Sequence, residues 1–233
     1  MLPDSVQAIR FVAERLAELN ERMAFLGGAT LGLLIAEPGA PPPRPTRDVD
    51  LVVEITMLEY LNNSFRTQLL AHGFRESPEE GVICRWTVGG TKVDIMPTTS
   101  TILGFGNRWY PAAFAHAQPY QFPEGPSIRL ISAACFLATK LEAFASRGRG
   151  DYLSSHDIED VIAVVDGRSS IEEDVEAASP EIRDFLAREV ARLLSAERFV
   201  DALPGQLPGD SASQARLPRL MARLERISRK QPP

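Results

Sequence analysis

Asp48 and Asp50 flank Val49 at the head of an apolar, β-branched run, Leu51-Val52-Val53. Side chains on a strand alternate faces, so both carboxylates point to one side of the sheet that this run would join. Two like charges at that spacing repel unless a cation lies between them. Mg²⁺ suits such a pair, because it takes carboxylate oxygens together with the phosphates of a substrate. Upstream, Met23-Ala24-Phe25-Leu26 reads as a short strand, and Gly27-Gly28 turns it into the apolar, helix-compatible segment from Ala29 to Ile35. A strand, a glycine turn and a helix start present backbone N–H groups where a polyphosphate can sit. A third carboxylate, Asp94, is expected at the end of a strand over Thr91 to Pro97. Gly89-Gly90 is the hairpin turn that would join it to a strand over Val82 to Val88.

These groups need elements to hold them. An amphipathic helix from Val6 to Leu19, with Ile9, Val12, Leu16 and Leu19 on one face, precedes the first strand. A second helix is expected from Thr56 to His72, closed by Gly73. The Pro-rich stretch Glu37 to Pro45 cannot be helix and is expected as an extended loop beside the site. Residues 98–126, rich in Gly, Pro and aromatics, read as short strands and loops. Their aromatic side chains would pack as a small core or wall a base pocket.

Further along, Ser132 is placed to cap a helix running to about Ser146, with Phe136, Leu137, Leu141 and Phe144 on one face. Lys140 falls inside that apolar arc, and Arg147 lies two turns later along the same edge. A cation that breaks the pattern either lays its stem along apolar surface or is aimed at a phosphate. The next helix carries the stripe Ile158, Val161, Ile162 and Val165, with Gly167 as its stop. Asp157 flanks the stripe and Asp160 points away from it. Ser154 and Asp157 also have the spacing of a capping box, a purely structural alternative for Asp157.

In order and element type these motifs resemble the DNA polymerase β-like nucleotidyltransferase superfamily. The residues that carry the likeness are Gly27, Gly28, Asp48, Asp50 and Asp94. The gap between the glycine turn and Asp48 is longer than is usual there, and the excess coincides with the Pro-rich insert. The helix from Lys140 to Arg147, followed by Asp157-Ile158-Glu159-Asp160, looks like the later motifs of the AbiEii-type branch, which supplies toxins of bacterial toxin–antitoxin and phage-defence systems.

The resemblance implies an α+β fold: an N-terminal nucleotidyltransferase mixed sheet flanked by helices, over 1–126, then a mainly α-helical C-terminal region, over 127–233. It implies a nucleotidyltransferase that moves a nucleoside monophosphate from a nucleoside triphosphate (NTP) to an acceptor hydroxyl, on a tRNA 3′ end or a protein. Metal ligands would be Asp48, Asp50 and Asp94, holding Mg²⁺ or Mn²⁺. Catalytic roles would fall to the same three carboxylates with Lys140 and Asp157. Nucleotide contacts would come from Gly27, Gly28, Thr30, Arg44, Thr46, Lys140 and Arg147. A cognate antitoxin would be a partner. An antibiotic-type transferase acting on a small molecule, and a catalytically silent nucleotide-binding module, are the alternative readings.

Bulk properties set the remaining bounds. The chain has 233 residues, 44% of them hydrophobic, and a net charge of −6, so it can bury a substantial core and exerts no global pull on nucleic acid. Cys84 and Cys135 sit in apolar settings and read as buried thiols in a reducing compartment. Neither a signal peptide nor a run of membrane length is seen, and a cytoplasmic protein is expected. From Ser211 onward six basic residues face one acidic residue, Glu225. Arg216, Arg219, Arg223 and Arg226 repeat at helical spacing within an expected basic helix over 211–230. They read as a solvated face, with an RNA backbone or an acidic partner surface as the sharper alternative.

Overall fold

The computed structural model describes residues 4–46, 48–77 and 83–229. By its internal contacts the chain divides into two units, Met1–Gly32 with Arg44–Ser132, and Leu33–Pro43 with Ala133–Pro233.

The first unit opens with α1 (Asp4–Leu16), which buries Ile9, Val12 and Leu16 along one face and carries Asp4 in its first turn and Arg15 in its last, matching the helix dipole. The helix expected to reach Leu19 ends sooner, because Ala17 takes φ 48°. Leu19 is still buried, from a 3₁₀ turn over Ala17–Arg22. Strand β1 (Met23–Leu26) follows, buried throughout. After it come a 3₁₀ turn (Gly28–Thr30) and the short α2 (Leu31–Leu34), along which the chain leaves the first unit at Gly32.

The chain returns in β2 (Val49–Val53). The single helix expected over Thr56 to His72 is two, α3 (Met57–Leu61) and α4 (Ser64–Ala71), because Asn63 adopts the left-handed conformation at φ 57° and breaks the ladder. Thr56 and Glu59 form a capping box at the start of α3. Strands β3 (Arg75–Glu76), β4 (Arg85–Val88) and β5 (Thr91–Pro97) come next. The strand expected from Val82 starts only at Arg85: Ile83 and Cys84 form a turn, and Val82 lies outside the described residues.

Where short strands and loops were expected over 98–126, two helices form, α5 (Ser100–Leu103) and α6 (Tyr110–Ala115), before β6 (Gln118–Gln121) and β7 (Ser127–Leu130). A side-chain cap starts α5, and an Asn107 turn with Pro111 in the first helical turn leads into α6, which has no side-chain cap of its own. Thr99 accepts a bond from the N–H of Thr101, and the Asn107 side chain accepts from the N–H of Trp109. Of the aromatics there, Trp109 and Phe122 are core, Phe105 is exposed, and Phe114, half-buried, lies 4.1 Å beneath the Arg129 guanidinium.

The seven strands form one mixed sheet in the order β3-β4-β5-β2-β1-β7-β6. Strands β2/β5 and β1/β7 pair in parallel and the other neighbours antiparallel. With the helices of the C-terminal half this is the α+β architecture expected of the fold.

The second unit is helical: α7 (Ala133–Arg147), α8 (His156–Gly167), α9 (Ile171–Glu176), α10 (Pro180–Leu194), α11 (Glu197–Ala202), α12 (Ser211–Gln214) and α13 (Leu217–Ser228). Helix α8 is packed against both α7 and α13, so it is buried over most of its circumference. Gly167 is not a stop beyond α8 but its last residue, with Arg168 as C-cap. A Cβ there would lie 2.7 Å from Ile35, and the Gly167 carbonyl accepts bonds from the N–H groups of Ala36 and Glu37. The Pro-rich segment thus packs on α8 where a side chain would bar it.

The C-terminal region departs from the solvated basic helix expected over 211–230. It is two helices, with Lys230 outside the described residues. The guanidinium of Arg216 meets Asp166 at 2.7 Å and that of Arg223 meets Glu37 at 3.3 Å; Arg219 pairs with Glu37 as well. Arg226 pairs with Glu172 at 2.8 Å. Arg223 is only 8% exposed and Asp166 2%, so Arg216 and Arg223 bind the unit together, whereas the paired Arg219 and Arg226 still reach solvent. Among the described residues, no helix is long and apolar enough to cross a membrane.

Candidate active site

Strand pairing lays four groups of the first unit in a row. Leu26 of β1 is opposite Asp50 of β2, Asp50 opposite Asp94 of β5, and Asp94 opposite Arg85 of β4. Paired residues project from the same face, so the row carries two adjacent carboxylates with a guanidinium at its end. Asp94 therefore sits in the middle of its strand, not at the strand end expected. Arg85 grips it through two bonds, Nε to Oδ1 at 2.8 Å and Nη2 to Oδ2 at 2.7 Å, and each side chain is under one-fifth exposed.

Gly27 closes the row at the β1 end. Its φ of 74° favours glycine, and a Cβ there would lie 1.8 Å from Oδ2 of Asp50. The turn is glycine because the carboxylate occupies the space of a side chain. Thr30, fully buried, braces that turn: its hydroxyl donates to the Gly27 carbonyl at 2.8 Å and its N–H donates to the same oxygen at 3.1 Å. Asp48, half-buried, immediately precedes β2, and Arg44 and Thr46 lie on the segment leading into it. Cys84, next to Arg85, is buried, and burial together with the Asp94 charge pushes its thiol above the ordinary value. Cys135 is buried as well, as the sequence suggested.

The donors are hard oxygens. Among the described residues no three His, Cys, Asp or Glu side chains gather closely enough to cage a metal ion by themselves. That fits Mg²⁺ or Mn²⁺ held by one or two carboxylates with waters and substrate phosphates, and does not fit a closed protein cage.

The second unit holds its own charged cluster. Lys140 of α7 reaches Asp160 of α8 at 2.6 Å and Asp157 at 3.4 Å, and Arg147 forks onto Asp157 with two bonds of 2.8 Å. Burial works to raise the Asp157 carboxyl, but the Arg147 hydrogen bond and the Lys140 charge outweigh it and hold the group below the ordinary carboxylate value. Asp160 lies on the side of α8 away from the apolar stripe, yet it is 0% exposed, because α8 is covered on more than one side. Asp157 makes no capping box with Ser154 either. Ser155 is the N-cap, the Ser154 N–H donates to Asp151, and the Asp157 carboxylate is taken by the two cations.

Reading by motif missed Arg85, Asp160, Asp166 and Glu37. A signal existed for Arg85, since a two-residue turn at Gly89-Gly90 fixes the register that sets Arg85 opposite Asp94. None existed for the others, whose partners lie on separate helices.

A glycine turn against Asp50, with Asp94 in register on the next strand, is the arrangement that the resemblance to nucleotidyltransferases implies. The family model for "Nucleotidyl transferase AbiEii toxin, Type IV TA system" matches residues 10–229, and the chain belongs to that family. No curated protein matches it. Solved structures give remote likenesses. The chain is 12% identical to JHP933 from Helicobacter pylori, with 96% of this chain and 90% of that one covered at a TM-score of 0.48. It is 17% identical to the antibiotic-resistance factor ANT(2'')-Ia, covering 84% and 97% at 0.44. A second structure of that factor, in complex with adenylyl-2''-tobramycin, is 16% identical over 80% and 98% at 0.41.

Proposed function

We propose that this nucleotidyltransferase moves a nucleoside monophosphate from an NTP onto a hydroxyl of a macromolecule, a tRNA 3′ end or a protein, and acts as the toxin of a toxin–antitoxin pair. The observation that supports the chemistry best is the approach of Asp50 to Gly27, with Asp94 opposite it on the neighbouring strand. Asp48 and Asp50, with Asp94 beside them, would hold Mg²⁺ or Mn²⁺, which when bound neutralises charge on the triphosphate. Gly27 and Gly28 would seat the phosphates. Asp94 would orient the acceptor hydroxyl and take its proton as the new oxygen–phosphorus bond forms. The bond between the α-phosphorus and the bridging oxygen breaks, and pyrophosphate leaves. For the second unit we assign Lys140 and Arg147 to the negative charge of the nucleotide, with Asp157 fixing both cations. Membership in a toxin family supports an antitoxin partner.

The test is incubation of the full chain with Mg²⁺ and each labelled NTP, alone, with total tRNA, with cell protein, and with an aminoglycoside. Pyrophosphate release with label carried into RNA or protein, and lost in Asp48→Ala, is expected. Label on a small aminoglycoside-like acceptor alone would replace the macromolecular reading. Nucleotide binding without turnover would make the protein a silent module.

A further inference from the structure

We infer that Arg85 is a positioning residue of the carboxylate site, one that keeps Asp94 from being drawn fully onto the divalent cation and so sets how tightly the cation is held. The inference rests on the metal-dependent reading above.

Both Asp94 oxygens are engaged by one planar guanidinium, at 2.8 and 2.7 Å, and the partners come from adjacent strands whose register the Gly89-Gly90 turn fixes. Such a fork is more than a stray surface pair: each side chain is less than one-fifth exposed, and the next group along the row is Asp50. A cation attracted by Asp48 and Asp50 meets, one strand away, a carboxylate whose charge is already compensated and a guanidinium that repels it. Neutralising position 85 removes the repulsion and releases Asp94 as a further oxygen donor. The cost is looser positioning of one short side chain, which opposes this only weakly. The two effects have opposite signs, so the direction of the change in cation affinity tells them apart. A merely structural arginine would give the reverse result, because losing it would loosen the site and weaken binding.

The experiment measures Mn²⁺ binding to the full chain by electron paramagnetic resonance and by titration calorimetry, without nucleotide. It compares the wild type with Arg85→Met, Arg85→Lys and Asp50→Asn, each checked by thermal unfolding. Arg85→Met should bind Mn²⁺ about fivefold more tightly at low salt, while Arg85→Lys stays within about twofold of wild type. If Arg85→Met does not fold, Arg85→Gln takes its place in the same measurement. Unchanged or weaker Mn²⁺ affinity in the folded neutral variant overturns the role given to Arg85. Wild-type binding that ignores Asp50→Asn, or is absent in every variant, overturns the metal-site reading itself, so the two failures are told apart.

Discussion

At Gly27, φ 74° and a carboxylate 1.8 Å from the place of a Cβ act against any larger residue at once. Gly27→Ala should therefore destabilise the first unit by about 1–3 kcal/mol and abolish pyrophosphate release, even at temperatures where the variant remains folded. Thermal melts beside a pyrophosphate assay check both. In the second unit, Asp160→Ala leaves the buried Lys140 with only the longer contact to Asp157, and a loss of roughly 3–5 kcal/mol is expected in urea unfolding. Asp157 carries the pH dependence. Its folded carboxyl titrates below the unfolded one, so its stabilising contribution is present above the ordinary carboxylate pKa and fades as pH falls through the folded value. The stability gap between wild type and Asp157→Asn should thus hold from neutral pH to about pH 5 and close below about pH 4. The aspartates of the row were legible because a strand of period 2 advertises which face each occupies. Asp160 was not, since its helical position faces solvent unless another helix covers it.

Among elements, α13 differs most from expectation. A stripe of arginines beside leucines is the pattern of a solvated amphipathic helix, and only tertiary packing reveals that Asp166 and Glu37 lie opposite. Arg223 also donates to the carbonyls of Val165 and Asp166, at 3.0 and 2.6 Å, so it ties α13 both to the end of α8 and to the Pro-rich segment. Glu37 is correspondingly held below the ordinary value: burial opposes this, and the Arg219 and Arg223 contacts prevail. Arg223→Met should cost about 2–4 kcal/mol and make the stretch Glu37 to Pro45 newly susceptible to limited proteolysis, read by mass spectrometry of the fragments. The strands, in contrast, were largely visible beforehand, β1 to the residue, because short β-branched and aromatic runs bounded by glycine have few other uses. Helix ends were read less well. The breaks at Ala17 and Asn63 rest on left-handed backbone at residues that do not demand it.

For the whole molecule, the division of the chain differs from a simple succession of an N-terminal and a C-terminal half. The segment Leu33–Pro43 belongs with Ala133–Pro233, although it lies early in the sequence. A fragment ending at Ser132 would retain Leu34 and Ile35 without the helices that pack with them. It should be less soluble than the full chain and bind a hydrophobic dye, and a fragment lacking 33–43 as well should behave better in both assays. The Glu37 pairs close over 182 and 186 residues of intervening chain. During synthesis Glu37 leaves the ribosome long before Arg219 and Arg223 exist, so the second unit cannot close these pairs until 182 and 186 further residues have been made. The carboxylate strands of the first unit are therefore made well before the second unit can close around Glu37.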